Sequence, residues 1–330
     1  MKLIEIGSIN EGPIVLVGNA GYIVGSDHNK IQHWQVNNGE EVGQPMDRGD
    51  FISSIAVSQD GKWIMSATQS GQVAVWDTES HNKVSEFKGH SDWMYVVDIS
   101  PDSTRMASRL DDRTVCVWSH STGRQLLDPL EHDYWVAAVK FSPDGQFITT
   151  DTWESVQAYY SHDGHLLFDS PIEVGSPCNQ SLAWVSNSKQ QFALLHDSEV
   201  HCLDIPIGQI LSAWAIHSNK SPRCIALESN GVFIAASADS SISFWDTATH
   251  KQIGPLIHHQ SSIWFIAISA NDNLVISRGG KIILWKLPNT LPSSYFDNVG
   301  VSQCQRDPTH CNSLATTDMQ SHLPVGWSIF

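Results

Sequence analysis

The residues of this chain that could break a bond are a histidine, a serine and an aspartate: His90, Ser108 and Asp112. Those are the side-chain types of a nucleophilic hydrolase, in which the imidazole removes the hydroxyl proton and the carboxylate orients the imidazole. Ser108, however, stands in the run MASRL and not in the strained G-x-S-x-G elbow that presents such a hydroxyl to a substrate. Cys304 and Cys311, with His310 between them, supply half of a zinc site, and no second ligand pair completes it. The cluster Gly18, Gly21, Gly25 has the wrong spacing for a dinucleotide loop and sits between two strand-like runs. Neither H-E-x-x-H, C-x-x-C, an EF-hand loop nor a phosphate loop of the G-x-x-x-x-G-K-[ST] type occurs. The 16 histidines fall largely in loops, as at His81 and His258-His259, where they read as solvated polar residues. The expectation is a chain that is not an enzyme and needs no metal or cofactor, with a catalytic site at a channel mouth as the least favoured alternative.

The elements that position these residues repeat. Trp34, Trp76 and Trp118 are 42 residues apart, and Tyr159, Leu203, Trp245 and Trp285 follow at steps of 41, 44, 42 and 40. Each closes an apolar run. Three residues earlier stand Ile31, Val73, Val115, Val156, Val200, Ile242 and Ile282, all β-branched and suited to a pleated, half-buried surface. Upstream, Ser58, Ser100, Ser142, Ser186, Ser229 and Ser269 close alternating runs and lead into tight-turn sequences such as SQDG and SPDG. Each unit therefore carries four short strands; in the third they are placed at 94–100, 105–110, 114–119 and 125–129. A lone four-stranded sheet cannot bury both faces, but seven in a ring bury one another. The prediction is an all-β fold, a seven-bladed β-propeller of four-stranded antiparallel blades over residues 1–290. The last unit has only three strands, so Lys2–Ser8 is expected to close the ring as its fourth.

Unit 2 ends in Trp76-Asp77, unit 6 in Trp245-Asp246, and Gly89-His90 opens the segment GHSDWMYVVDISPDSTRMASRLDDRTVCVW. With the period, these residues resemble WD40 repeats over about residues 2–288, and more narrowly the chain is similar to the WD40 proteins of mushroom-forming fungi. The resemblance implies that His90, Ser108, Asp112 and Trp118 form a structural hydrogen-bonded tetrad. That role, and not hydrolysis, explains the histidine and the aspartate. Units 4 and 7 keep His132 and His259, but Trp153 and Gly279 replace the aspartate; unit 6 has Asp239, unit 5 Asp197 without the tryptophan, and unit 1 His28.

Seven residues before the serine column stand Phe51, Trp93 and Trp135, and two residues beyond that position Tyr95 and Trp264. The resemblance places these at the start of inner strands on the top face, with Arg109, Asp111, Tyr134 and Trp153 in loops of the same face. Aromatic side chains beside arginine make protein-binding hot spots. The function predicted is a non-catalytic scaffold holding a protein or peptide partner, as a monomeric propeller within a complex. An alternative, implied by the fungal resemblance alone, is a sensor for a signalling NTPase carried by another chain.

A formal net charge of −16 with scattered Lys and Arg argues against nucleic acid and against membrane surfaces. No signal peptide or 18-residue apolar run is seen, and the six cysteines have no framework spacing, so a reducing cytoplasm, or a nucleus, is expected. Residues 291–330 break the period with polar residues and three prolines, and are expected to form a disordered tail.

Overall fold

The computed structural model describes residues 4–6, 11–17, 21–36, 38–88, 94–110, 112–152, 154–170, 182–186, 191–196, 199–216, 222–227, 231–259, 262–263, 265–268, 274–278 and 282–295. Expectations placed on His90, Trp93, Asp111, Trp153, Trp264, the Cys304–His310–Cys311 cluster, the tail beyond residue 295 and the Tyr95 side chain lie outside these residues.

Within a compact unit, Met1–Pro292, the described strands form four-stranded antiparallel sheets in chain order. Blade 1 is Glu11–Val17, Tyr22–Asp27, Lys30–Gln35 and Met46–Asp47. Blade 2 is Ile52–Val57, Trp63–Thr68, Gln72–Asp77 and Lys83–Lys88. Blade 3 is Met94–Ile99, Arg105–Leu110, Thr114–Ser119 and Leu130–Glu131. Blade 4 is Val136–Phe141, Phe147–Thr152, Val156–Tyr160 and Leu166–Ser170. Blade 5 is Leu182–Ser186, Gln191–His196, Glu199–Asp204 and Gln209–Ala215. Blade 6 is Pro222–Leu227, Phe233–Ala238, Ser241–Asp246 and Gln252–His258. The last sheet takes Phe265–Ile268, Leu274–Arg278 and Ile282–Lys286 from one end of the unit and Ile4–Ile6 from the other, with Ile4 opposite Leu284. First strands of successive sheets neighbour one another, and Phe265–Ile268 returns beside Glu11–Val17.

The expected count of seven four-stranded blades is corrected. The outer strands of blades 1 and 3 shrink to two residues, so only five sheets carry an outer strand of three residues or more. In blade 3 the expected strand at 125–129 is a single bridge between Gln125 and Trp118, and pairing resumes at Leu130. The reason is proline. Pro129 and, in blade 1, Pro45 immediately precede the two-residue strands, remove a backbone donor and restrict the residue before them.

The core lies in the seams between sheets. Met65, Val73 and Val75 of blade 2 meet Met106, Cys116 and Trp118 of blade 3, and Val115, Val117 and Leu130 of blade 3 meet Val139, Ile148 and Tyr159 of blade 4. All seven β-branched residues three before the tryptophan column are fully buried. Ser58, Ser100 and Ser142 of the serine column close the turn between first and second strands, and Ser229 and Ser269 lie outside the described residues. The hydroxyls of Ser58, Ser100 and Ser142 each accept the N–H five residues on, at 2.9 Å, and donate to the aspartate two residues on, at 2.5 Å. That aspartate accepts a further N–H at 3.0 Å in each case. These bonds hold the Asp60 and Asp102 carboxyls below their ordinary range. For Asp60 the Ser58 hydroxyl is the largest cause; for Asp102 the hydrogen bonds outweigh an opposing push from burial.

A second turn locks neighbouring sheets together. Between third and fourth strands one residue takes a left-handed conformation: Gly123, Gly164 and Gly208, but His81 and His250 in blades 2 and 6. A side chain at Gly123 would collide with the Phe87 ring of the preceding blade, and one at Gly208 with Phe168. Where histidine replaces glycine, its ring fills the same seam. His250 stacks on Trp214 of blade 5 at 4.2 Å between centroids, and His81 Nε2 lies 3.1 Å from His33 Nδ1 of blade 1.

Arg48 shows how a buried charge is held. It lies 42 residues before His90, and its side chain is 1% exposed. It donates to the Glu86 carboxylate, which also accepts from Lys83 at 2.6 Å, and to Gln72 at 3.4 Å. The Lys83 contact first, then Arg48, holds the Glu86 carboxyl below its usual range. Truncating the two partners has unequal costs. Glu86→Leu strands a buried guanidinium and is expected to cost about 3 kcal/mol, whereas Arg48→Met leaves a carboxylate that water and Lys83 still reach, at about 1 kcal/mol or less. Urea midpoints of the two variants measure the difference; equal losses would contradict this account.

Candidate protein-binding rim

At one end of each sheet the first strand begins, the second ends and the turn to the third lies alongside. The residue before the first strand is fastened there by backbone bonds. In blade 2 Phe51 O accepts from Gln69 N at 3.1 Å, and Ile52 N donates to His28 O of blade 1 at 2.8 Å. A second tether comes from the position of the tetrad histidine: Arg48 N, His132 N and His259 N donate to Asn29 O, Arg113 O and Ser240 O at 2.7, 3.1 and 2.7 Å. The rim therefore rests on a stiff frame.

Phe51 is 36% exposed and meets His28 edge-on at 6.2 Å. Its N–H donates to Asp50 Oδ1 at 2.7 Å, and Asp50 Oδ2 accepts from Ser70 N. Although partial burial pushes the Asp50 carboxyl upward, the Ser70 and Phe51 donors hold it below its ordinary range. At the corresponding place in blade 4, Trp135 is 56% exposed and Tyr134 beside it 44%. The Glu154 carboxylate, hydrogen-bonded to the Tyr134 phenol, raises that group. Arg113 Nη1 donates to Asp133 O at 3.1 Å on the same rim. The structure thus brings Tyr134 and Trp135 together and repeats the exposed ring at Phe51. Arg109 is different: it is half-buried in the second strand of blade 3, opposite Val96 and Val115.

Sequence reasoning missed the reason for the second aromatic position. Tyr95 is the extra residue of a β-bulge between Met94 and Val96, and Ser53, Ala137 and Arg223 occupy the same bulge in blades 2, 4 and 6. A bulge bends the strand and re-aims one side chain at the rim. The residue at this point differs from blade to blade, so no column of like residues marks it.

Of the residues expected to form the tetrad, Ser108, Asp112 and Trp118 fall within the described part, Ser108 and Trp118 buried in blade 3 and Asp112 exposed in the turn before its third strand. Trp118 Nε1–H donates to Ser108 Oγ at 2.9 Å, and Asp112 Oδ1 accepts the N–H and hydroxyl of Thr114 at 3.0 and 2.6 Å. Ser108 is fully buried, so no substrate reaches its hydroxyl. Blade 2 repeats the bond, unforeseen from sequence, between Trp76 and Ser66 at 2.9 Å. Blade 4 rebuilds it with other residues. His132 Nδ1–H donates to Leu130 O at 3.0 Å, its Nε2 accepts from Thr150 Oγ1 at 2.9 Å, and Tyr159 donates to Gln157 at 2.6 Å. Among the described residues no group of three or more His, Cys, Asp or Glu is placed to hold a metal, and no helix is long and apolar enough to cross a membrane.

Comparison with known proteins agrees with this repeat. The signature of the WD domain, G-beta repeat matches residues 44–77, 81–119, 124–168 and 208–246, so the chain carries WD40 repeats. No curated protein sequence matches the chain. Among solved structures it is similar to the β-propeller domain of Cps50 (Swd1) from Myceliophteria thermophila, with a TM-score of 0.75 and 13% identity over 86% of this chain and 99% of that one. It is also similar to a chain of the mitotic checkpoint complex, with a TM-score of 0.74 and 14% identity over 86% of this chain and 90% of that one. At such identities the likeness is one of fold.

Proposed function

We propose that this WD40 propeller is a non-catalytic scaffold that holds a protein or peptide partner on the rim carrying Phe51, Tyr134 and Trp135. The observation that carries the reading is the exposure of Trp135 and Tyr134 on a frame whose backbone is bonded in place. A rigid aromatic loses little conformational entropy on binding and supplies a large contact area. Asp47, Glu131, Asp133 and Glu154 stand exposed on the same rim, so the partner this surface suits presents basic residues beside an apolar anchor. The chain of the mitotic checkpoint complex to which the fold is similar is itself part of a protein assembly, in keeping with such a role.

The test is affinity capture from native lysate with the wild type and with Trp135→Ala combined with Phe51→Ala. Both rings are exposed, so the fold should be unchanged by far-ultraviolet circular dichroism. Losing a hot-spot anchor costs about 2 kcal/mol, roughly thirty-fold in affinity, and the captured partner should disappear. Capture undiminished in the double variant would refute the rim.

A further inference from the structure

A turn that needs a left-handed residue favours glycine, because a Cβ there crowds the following carbonyl oxygen. Between the second and third strands of blade 2, Gly71 fills that place at φ 79°. Arg113 stands 42 residues later, at the same place in blade 3, with φ 68°. Asparagine, aspartate and histidine are the other types that enter this region readily, and the corresponding turns of blades 1 and 6 have His28 and Asp239 there, at 55° and 50°. Arginine has no such backbone preference. At other left-handed positions the side chain serves the interior: His81 and His250 fill seams between sheets. The Arg113 side chain is exposed, and among the described residues its guanidinium meets one acceptor, the Asp133 carbonyl, from Nη1 at 3.1 Å. One solvent-exposed hydrogen bond contributes no more than the left-handed backbone costs, so the fold by itself does not favour arginine at this point.

We propose that Arg113 is a partner-contacting residue of the rim, donating to an uncharged acceptor, a main-chain carbonyl of the bound segment. This rests on the rim reading above. Residues kept in a disfavoured backbone conformation cluster at binding sites. Asp133 leads directly into Tyr134 and Trp135, so the guanidinium stands next to the segment that carries the two exposed rings. Its own backbone is pinned, because Arg113 O accepts from His132 N at 3.1 Å. Aromatic rings with an arginine beside them are the composition of a binding hot spot. The acceptor is uncharged because Asp112, Glu131, Asp133 and Glu154 stand exposed on the same rim and repel a carboxylate or phosphate. Basic residues of the partner are drawn to those carboxylates and excluded from the position of Arg113. The residue therefore fixes the register in which the segment lies.

The probe is a set of peptides selected from a displayed random library on the immobilised full chain. Fluorescein-labelled copies are titrated by anisotropy against the wild type, Trp135→Ala, Arg113→Gly and Arg113→Lys. Arg113→Gly relieves the left-handed backbone, so its thermal midpoint should equal or exceed that of the wild type, while its affinity should fall about tenfold. A structural brace does not give that combination, because its loss lowers both. Arg113→Lys keeps the charge without the planar fork and should not restore binding. The ratio of wild-type to Arg113→Gly affinity should not fall as salt is raised, since a neutral acceptor is not screened. Peptides that need Trp135 but bind Arg113→Gly unchanged, a glycine variant that melts below the wild type, restoration by lysine, or a ratio that collapses with salt would each overturn this role while leaving the rim in place. Selected peptides indifferent to Trp135→Ala, or a library that yields none, would overturn the rim and this inference with it.

Discussion

Replacing Trp118 by alanine is expected to lower stability by about 3–5 kcal/mol, the range for deleting a large buried aromatic side chain. Trp118 does two jobs. Its ring is 7% exposed and fills the seam with Met65, Val75 and Met106, while its indole N–H is bonded to the fully buried Ser108 hydroxyl. The two contributions separate by substitution. Trp118→Phe keeps most of the apolar volume and leaves the Ser108 hydroxyl without its indole donor, so it should cost about 1–3 kcal/mol, and Ser108→Ala a similar amount. In a chain of this size each kcal/mol moves the thermal midpoint by roughly 2–4 °C, so Trp118→Ala should melt about 10 °C early. If Trp118→Ala and Trp118→Phe were equally damaging, the lost hydrogen bond and not the cavity would account for the destabilisation.

Acid should destabilise the fold well before its carboxylates titrate. Burial first, and for His33 the neighbouring His81 as well, pushes the imidazoles of His33 and His132 down to about 4. In the unfolded chain both sit near 6.5. Below that value the unfolded state takes up protons that the folded state refuses. Stability is therefore complete above about pH 6.5, falls as pH drops toward 4, and levels once the folded imidazoles protonate. For His132 the difference amounts to roughly 3 kcal/mol. The depressed carboxyls of Asp60, Asp102 and Glu86 act below this window. Their stabilisation is present above their unfolded values and is lost as pH falls through the lower folded ones. Urea midpoints between pH 7 and 4.5 should decline in the wild type and decline less steeply in His132→Gln, which keeps a donor and an acceptor. A wild-type midpoint flat across that interval would show that the imidazoles are not held neutral by the fold.

The repeat is legible because its columns answer to physical demands that recur in every sheet. A β-branched residue is buried in each third strand, the hydroxyls of Ser58, Ser100 and Ser142 close the first turns of their blades, and a large side chain, a ring everywhere but at Leu203, stands near the strand end. What is not legible depends on substitution at these columns. Pro45 and Pro129 cut two outer strands short, where the repeat period alone suggests strands of ordinary length. His81 and His250 occupy a turn position where other blades have glycine, and their rings fill seams where a loop histidine suggests solvation. Arg48 stands at the histidine position and sends its charge to Glu86 of the adjoining outer strand, a pairing 38 residues distant that no local pattern records. The exposed aromatics of the rim are legible because Phe51 and Trp135 keep the register; the bulge beside them is hidden because its residue type varies.

The pairing of Ile4–Ile6 with Ile282–Leu284 has a consequence for how the chain acquires its shape. During synthesis Ile4–Ile6 is made long before the partner it pairs with, so this sheet stays incomplete until Ile282–Leu284 has been added, and its edge stays available to other chains over that interval. A rearranged gene that begins just before Phe265 and places Ile4–Ile6 directly after Lys286 would make every sheet from contiguous sequence. Such a chain should reach its native state faster, and without the long interval in which both ends are unsatisfied.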